Sequence, residues 1–298
     1  MTHTTNQPID LNFANIDERN IQYNARASVV DFDACVHEYA ELSALARHHC
    51  AGVFDLPYGH SIAERLDIFP AKKSNCPAPV LVYIHGGYWR SQTKEDAALM
   101  AKTYTDAGVT VAVLEYPLAP QATLAEIVRS VRSAIAWLYK NASTYGIDPK
   151  QIYVAGSSAG GHLVGMLIAP NWQAEYQLPE NVICGGVGLS GLYDLRPLCD
   201  TYHNEWLNLH TEQAERLSPL FHLPETPVPL VLAVGGLETD GFKNQTEVYE
   251  QAYSSKGYPV ARVQAAGCNH FNLLCEMAKP NSDLNRAVLN MIKENTLK

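Results

Sequence analysis

The chain has 298 residues, of which 47% are hydrophobic and 18% are charged, so it is long enough and apolar enough to bury a substantial core. Its net charge of −9 and its lack of a Lys/Arg cluster argue against a nucleic-acid partner. The polar first residues do not resemble a signal peptide, and no run approaches the roughly 18 apolar residues of a membrane span. Seven cysteines without CxxC spacing indicate reduced thiols. We therefore expect a cytoplasmic protein without membrane contact.

The first quarter of the chain is predicted to be a small segment in front of the main fold. Its polar start is followed by apolar side chains at helical spacing and then by two short strand-like pieces. These elements lie at 33–49, 52–56 and 65–69. We therefore predict one domain over 1–298 with an N-terminal helical or cap segment at 1–75.

From residue 80 onward, continuous apolar runs alternate with helical patterns. The runs predict strands at 80–84, 109–114, 151–155, 182–189, 229–234 and 260–265. The helices are predicted at 93–107, 123–145, 159–169, 242–256 and 282–294. This alternation is typical of an α/β fold with a mostly parallel central sheet and helices on both faces. Functional residues in such sheets follow the carboxyl ends of the strands.

The segment Gly156-Ser157-Ser158-Ala159-Gly160 is a G-x-S-x-G motif between a predicted strand and a predicted helix. A sharp strand-to-helix turn would expose the Ser158 hydroxyl, and glycine on both sides removes side chains that would clash across the turn. Ser157 occupies an x position of the motif and ranks below Ser158. The motif in this context predicts Ser158 as a nucleophile.

The strand before residue 85 leads into His85-Gly86-Gly87-Tyr88-Trp89. The amides of Gly86 and Gly87, together with that of Ala159, can donate to an oxyanion beside the nucleophile. We expect Tyr88 and Trp89 to form a substrate-binding wall of the site.

An acid and a histidine complete the predicted catalytic set. Glu238 and Asp240 both follow the strand at 229–234, and either could orient a histidine. His270 lies just after the last predicted strand, so the chain order is serine, acid, histidine. The residues alone therefore leave Glu238 and Asp240 as alternatives.

Two other patterns carry little weight. Residues 186–191 match G-x-G-x-x-G, but no helix begins at the third glycine, which argues against a dinucleotide site. The pairs His48/His49 and His203/His210 lack the spacing of a closed metal site. We expect neither a cofactor nor a metal.

Three segments carry a family resemblance: HGGYW at 85–89, EYPLAP at 115–120 and GSSAGG at 156–161. They resemble the hormone-sensitive-lipase branch of the α/β-hydrolases, and HGGYW in particular resembles the kynurenine formamidase (arylformamidase) group. The loop at 236–245 is similar to that group's acid loop, in which the acid lies four residues before a Phe. That spacing favours Glu238, whereas the group's usual Asp keeps Asp240 open.

The resemblance implies an α/β-hydrolase fold and hydrolysis of N-formyl-L-kynurenine or a similar aryl formamide through an acyl-enzyme, without a cofactor. It equally implies hydrolysis of short-chain esters, so a carboxylesterase with no formamidase role is the alternative. Residues 191–226, which include Tyr202, Trp206 and Leu207, are predicted to form a lid-like insert. A non-catalytic hydrolase fold that binds a small molecule is a third option, and the oligomeric state, including a homodimer, stays open.

Overall fold

A computed structural model describes residues 9–72 and 77–296 of the chain, and in them the apolar runs form one eight-stranded sheet. The strands are β1 Val53–Pro57, β2 Arg65–Phe69, β3 Ala78–Ile84, β4 Thr110–Leu114, β5 Ile147–Ser157, β6 Ile183–Leu189, β7 Leu230–Gly235 and β8 Val260–Ala265. They lie side by side in the order β1-β2-β4-β3-β5-β6-β7-β8.

Most of the sheet is parallel. Strands β3 to β8 pair in parallel, whereas β2 pairs antiparallel with both β1 and β4 at one edge. The residues of β4 and β7 are all buried, because helices cover both faces of the parallel part. The predicted mostly parallel sheet is confirmed, and it places the ends of β3, β5, β6, β7 and β8 along one side.

The helices connect and cover these strands. They are α1 Ile16–Gln22, α2 Phe32–His49, α3 Ala101–Asp106, α4 Leu124–Asn141, α5 Ala159–Ile168, α6 Asn204–Leu207, α7 Thr211–Arg216, α8 Asp240–Ser255, α9 Asn272–Ala278 and α10 Asp283–Thr296. Among the residues that the structure describes, no helix has both the length and the apolar character needed to cross a membrane.

Helices α4 and α5 show two degrees of burial. Helix α4 begins at a capping box, in which Thr123 accepts from the Glu126 amide and the Glu126 side chain accepts from the Thr123 amide, and it buries one apolar face. Every residue of α5 is buried, because this helix lies between the sheet and surrounding elements. Helix α5 begins directly after Ser158, so the nucleophile candidate is fixed to the most buried helix of the fold.

The prediction of one helix at 93–107 is wrong. A short 3-10 turn at Lys94–Ala97 is separated from α3, and the Ala98 amide donates to the Ser43 hydroxyl at 3.2 Å instead of continuing a helix. The Lys94 ammonium is drawn into the interior, where it lies 3.1 Å from Asp67 and 2.8 Å from Asp55. These tertiary contacts override the local helical pattern.

Candidate active site

Ser158 lies at the turn between β5 and α5. Its φ of 57° and ψ of −118° are uncommon for a residue with a side chain, which is the strain expected at this kind of turn. The Ser158 amide donates to the Leu189 carbonyl at 2.8 Å, and its own carbonyl accepts from the His162 amide at 3.1 Å. The backbone on both sides of the serine is therefore anchored.

Gly160 shows why this turn leaves no room for a side chain. A Cβ atom at position 160 would lie 2.0 Å from the carbonyl oxygen of Ile84, the last residue of β3. The start of α5 thus contacts the end of β3 through backbone atoms. This contact brings the nucleophile candidate beside the loop that carries Gly86 and Gly87.

Glu238 and His270 form a buried pair. Nδ1 of His270 lies 2.6 Å from Oε2 of Glu238, and both side chains are at most 5% exposed. Because an ionised carboxylate only accepts, Nδ1 carries the hydrogen and Nε2 keeps its lone pair. The ring also packs against Phe242 with centroids 4.3 Å apart. The histidine is therefore held in the tautomer that can take a proton from a hydroxyl.

The second oxygen of Glu238 is also bonded. Oε1 accepts from the Ser190 hydroxyl at 2.6 Å and from the Gly235 amide at 2.6 Å. Ser190 has a φ of 49°, a left-handed conformation rare for serine. Sequence reasoning missed Ser190, although it directly follows β6, at the strand end where polar residues are expected to be functional.

Asp240 lies elsewhere. It is the first residue of α8, its side chain is 70% exposed, and its nearest cation is Lys243 at 3.8 Å. Of the two acids that the sequence left open, only Glu238 contacts His270.

The loop after β3 is braced by the segment at 115–120. The His85 ring stacks on Tyr116 with centroids 4.2 Å apart, and its Nε2 lies 3.1 Å from Glu115. The Tyr116 hydroxyl donates to the carbonyls of His85 and Gly86, at 3.0 and 3.1 Å. This bracing positions Gly86 and Gly87, which both line the cavity that contains Ser158.

Gly87 and Ala159 supply the other predicted oxyanion donors. Gly87 has a φ of +90°, which a residue with a side chain rarely adopts, so the turn here favours glycine. Ala159 is the first residue of α5, where backbone amides are not used by the helix itself. Backbone amides at both places can therefore donate hydrogen bonds to negative charge that forms at Ser158.

Tyr88 and Trp89 point to different places, and the prediction that both line the site is wrong for Trp89. Tyr88 lines the cavity and stacks on His203 with centroids 4.1 Å apart. Trp89 is fully buried, and its indole donates to Nδ1 of His162 at 3.2 Å. Both residues have positive φ, so the tight turn sends adjacent rings in different directions.

Ser158 and His270 line one cavity of about 770 Å³ together with Tyr88. In the described structure, the His270 ring is hydrogen-bonded to Glu238 and not to the Ser158 hydroxyl. Hydrogen bonds between such groups are often long in a free enzyme and tighten when substrate binds. An apolar part of the wall is formed by Phe32, Val36, Tyr39, Tyr83, Phe271 and Leu274. The cavity is large enough for an aryl substrate.

Several wall residues were not predicted. Helix α2 and the turn before it contribute Arg26 and Phe32, and the segment around α6 contributes His203. Burial and, to a smaller degree, the nearby charge of Arg90 lower the pKa of His203 to about 3, so the ring is neutral at ordinary pH. No local pattern marks these residues, because only the tertiary fold brings them to the cavity.

The described part of the chain holds no group of three or more His, Cys, Asp or Glu side chains arranged to bind a metal.

Comparison with known proteins gives one family and several relatives. The BD-FAE family model matches residues 66–236, which is more than half of the chain. Kynurenine formamidase of Danio rerio is 29% identical over 287 residues, covering 93% of this chain and 96% of the relative. Kynurenine formamidase of Salmo salar is 30% identical and covers 83% of this chain and 84% of the relative.

A solved structure shares the whole fold. A candidate thioesterase of Silicibacter sp. superposes with a TM-score of 0.79 at 28% sequence identity. The match covers 93% of this chain and 99% of that one.

Proposed function

The chain belongs to the BD-FAE family of α/β-hydrolases and is a hydrolase of the formamidase or esterase type, and on that premise we propose that it is a serine hydrolase acting through an acyl-enzyme. Its proposed substrate is an aryl formamide similar to N-formylkynurenine. The name of the Danio rerio relative supports this choice.

In the proposed mechanism, the Ser158 hydroxyl attacks the formyl carbon, and Nε2 of His270 accepts its proton. Glu238 stabilises the resulting imidazolium through the 2.6 Å contact at Nδ1. The imidazolium then returns the proton to the leaving aryl amine. Water activated by the same histidine releases formate and restores the serine.

The amides of Gly86, Gly87 and Ala159 are proposed to bind the oxyanion of the tetrahedral intermediate. They belong to two rigid elements that meet at the Gly160–Ile84 backbone contact, so their relative positions are set before substrate binds. In typical serine hydrolases, one such donor is worth about 10²–10³ in rate.

One observation carries the proposal: a buried Glu238–His270 pair opens onto the same cavity as a serine held in a strained strand-to-helix turn. A structural histidine would not need a carboxylate on one nitrogen and a cavity beside the serine. This arrangement also disfavours the non-catalytic binding fold, which usually lacks a member of the set.

The test is labelling by a fluorophosphonate probe combined with turnover of N-formylkynurenine and p-nitrophenyl acetate. We expect labelling and turnover in the natural protein and loss of both in Ser158→Ala. Absence of labelling in the folded natural protein would remove Ser158 as the nucleophile. Labelling without turnover of either compound would remove the small-acyl substrate class.

A second candidate is hydrolysis of a short-chain ester or thioester with no formamidase role. The 28% identity with a candidate thioesterase over nearly the whole chain favours it. The ratio of kcat/KM for N-formylkynurenine to that for p-nitrophenyl acetate separates the two candidates.

We propose that residues 191–226 form a lid-like insert in a single domain. The support is that Tyr202, His203 and Trp206 line the cavity, whereas Leu207, predicted with them, is buried behind this wall. The N-terminal segment supplies the facing wall through Arg26 and Phe32.

A further inference from the structure

Arg90 places a positive charge in the wall of the cavity. It lies two residues after Tyr88 in the same loop and lines the same cavity as Ser158. We propose that Arg90 binds a carboxylate on the leaving group of the substrate, so that the enzyme selects acyl compounds whose aryl part is anionic or zwitterionic. This subsite rests on the proposed hydrolase function and names the substrate class that the site accepts.

Trp206 supports the side chain of Arg90, which is exposed at the cavity. The guanidinium lies over the Trp206 ring, 4.2 Å from its centroid, and the Trp206 indole donates to the Tyr88 carbonyl at 3.1 Å. The tryptophan thus bonds to the loop that carries the arginine. A cation–π contact of this kind does not use the N–H groups of the guanidinium as hydrogen-bond donors to a carboxylate, so they stay available for one.

The charge of Arg90 has no internal partner. Among the residues that the structure describes, no carboxylate oxygen lies within 4.0 Å of its guanidinium. By contrast, Arg47 pairs with Asp67 and Arg196 pairs with Asp194. An exposed cation that lines a cavity, stacks on a tryptophan and has no carboxylate partner is suited to an anionic ligand.

Other charged side chains of the wall support a zwitterionic ligand. Asp96 and Glu205 line the same cavity, and neither lies within salt-bridge distance of Arg90 in the described structure. A cation and two separate carboxylates can bind the two charges of an amino-acid group. The chain's net charge of −9 repels anions on average, so selection of an anionic substrate needs a local cation such as Arg90.

The test compares Arg90→Gln with the natural protein on two matched substrate pairs. One pair is N-formylkynurenine and 2′-formamidoacetophenone, which lacks the amino-acid group. The other is 4-acetoxybenzoate and the neutral 4-acetoxybenzamide. We expect kcat/KM for the anionic or zwitterionic member to fall roughly 10- to 100-fold, the range of a lost charge-assisted hydrogen bond, and that for the neutral member to change less than about twofold.

Arg129→Gln is the matched control, because it removes one positive charge from an exposed position of α4, outside the cavity wall. In each substrate pair, Arg129→Gln should leave the ratio of kcat/KM for the charged member to kcat/KM for the neutral member unchanged. An equal loss on charged and neutral members in Arg90→Gln would overturn the subsite and assign Arg90 a purely structural contact with Trp206. No loss on either member would also overturn it, with the proposed hydrolase function intact.

Failure of the proposed function has a different signature. The natural protein would then turn over none of the four compounds and would not be labelled at Ser158 by a fluorophosphonate, whatever residue occupies position 90. Equal labelling rates in the natural protein and Arg90→Gln, with selective loss on the charged substrates, support the subsite.

Discussion

Both oxygens of the Glu238 carboxylate are hydrogen-bonded, and the contact of one of them with His270 distinguishes this acid from Asp240. Oε2 contacts the imidazole, while Oε1 accepts from Ser190 and Gly235. Asp240 is only two residues away but begins a helix and faces solvent. The residues alone could not separate these acids, because both follow the same strand and the backbone turn between them is not encoded in a local pattern; only the spacing of the similar family loop favoured Glu238.

Glu238→Gln and Asp240→Asn should therefore differ sharply. The first removes the charge that stabilises the imidazolium and should lower kcat by about 10³–10⁴, whereas the second should change kcat less than about twofold. The measurement is kcat on p-nitrophenyl acetate at pH 8. Similar losses in both variants would show that the acid has been assigned wrongly.

Ser190 is expected to position the acid rather than to touch substrate. Removing its hydroxyl leaves Oε1 of Glu238 with only the Gly235 amide as donor, so the carboxylate holds the His270 ring less rigidly. Ser190→Ala and Ser190→Gly should both lower kcat on p-nitrophenyl acetate about tenfold and change KM little.

The two Ser190 variants differ in one respect that serves as a control. Glycine accepts a φ of 49° without strain, whereas alanine does not, so Ser190→Gly should unfold at a higher denaturant concentration than Ser190→Ala. A loss of kcat that followed this stability difference, instead of being common to both variants, would contradict the positioning role.

At the scale of elements, the strands were predictable and some connections were not. Continuous apolar runs such as those at 80–84 in β3 and 230–234 in β7 have no alternative to a buried strand between helices. The prediction of one helix over 93–107 is wrong because the Lys94 side chain pairs with Asp67 of β2. Likewise, Trp89 leaves the cavity because its backbone turn, and not its residue type, sets its direction.

The segment that follows α1 contributes to the site through Tyr23, which is fully buried. Its ring packs edge-on against Phe242 with centroids 6.3 Å apart, and Phe242 in turn contacts His270. The Tyr23 hydroxyl donates to the Leu11 carbonyl at 2.9 Å and accepts from Gln245 at 3.2 Å. Its backbone carbonyl accepts from the Tyr88 hydroxyl.

Tyr23→Ala should accordingly lower the free energy of unfolding by about 3–5 kcal/mol, because it leaves a cavity in the packing beside Phe242. Tyr23→Phe keeps the ring and loses only hydrogen bonds, so it should cost about 1 kcal/mol. Urea unfolding followed by tryptophan fluorescence measures both. Equal effects would mean that the hydroxyl, and not the packing of this segment, dominates.

For the molecule as a whole, His162 links stability to pH. It is fully buried, its Nε2 lies 2.7 Å from the Leu217 carbonyl, and burial lowers its pKa from 6.5 to about 4. Above pH 6.5 the ring is neutral in both states and the contribution is complete. As the pH falls from 6.5 to about 4, only the unfolded chain binds the proton, so stability is lost.

The expected loss from this histidine is about 1.4 kcal/mol per pH unit within that window. His162→Gln should be less stable at pH 7.5, since it disturbs the contacts with Trp89 and Leu217, but its stability should fall less steeply toward low pH. The difference in urea unfolding free energy between the two proteins measures this, because the other titrating groups are shared. A difference that stays constant from pH 7.5 to 4.5 would rule out His162 as a source of the pH dependence.

The backbone contact between Gly160 and Ile84 constrains how this enzyme can diversify. Because the first turn of α5 and the end of β3 touch without intervening side chains, a larger residue there would separate Ser158 from the proposed oxyanion amides of Gly86 and Gly87. Mutational freedom lies instead in the two walls, at 24–39 and 202–206, whose side chains line the cavity without supporting the turn. New specificities in this scaffold should therefore arise by exchange of wall residues around an unchanging reaction centre.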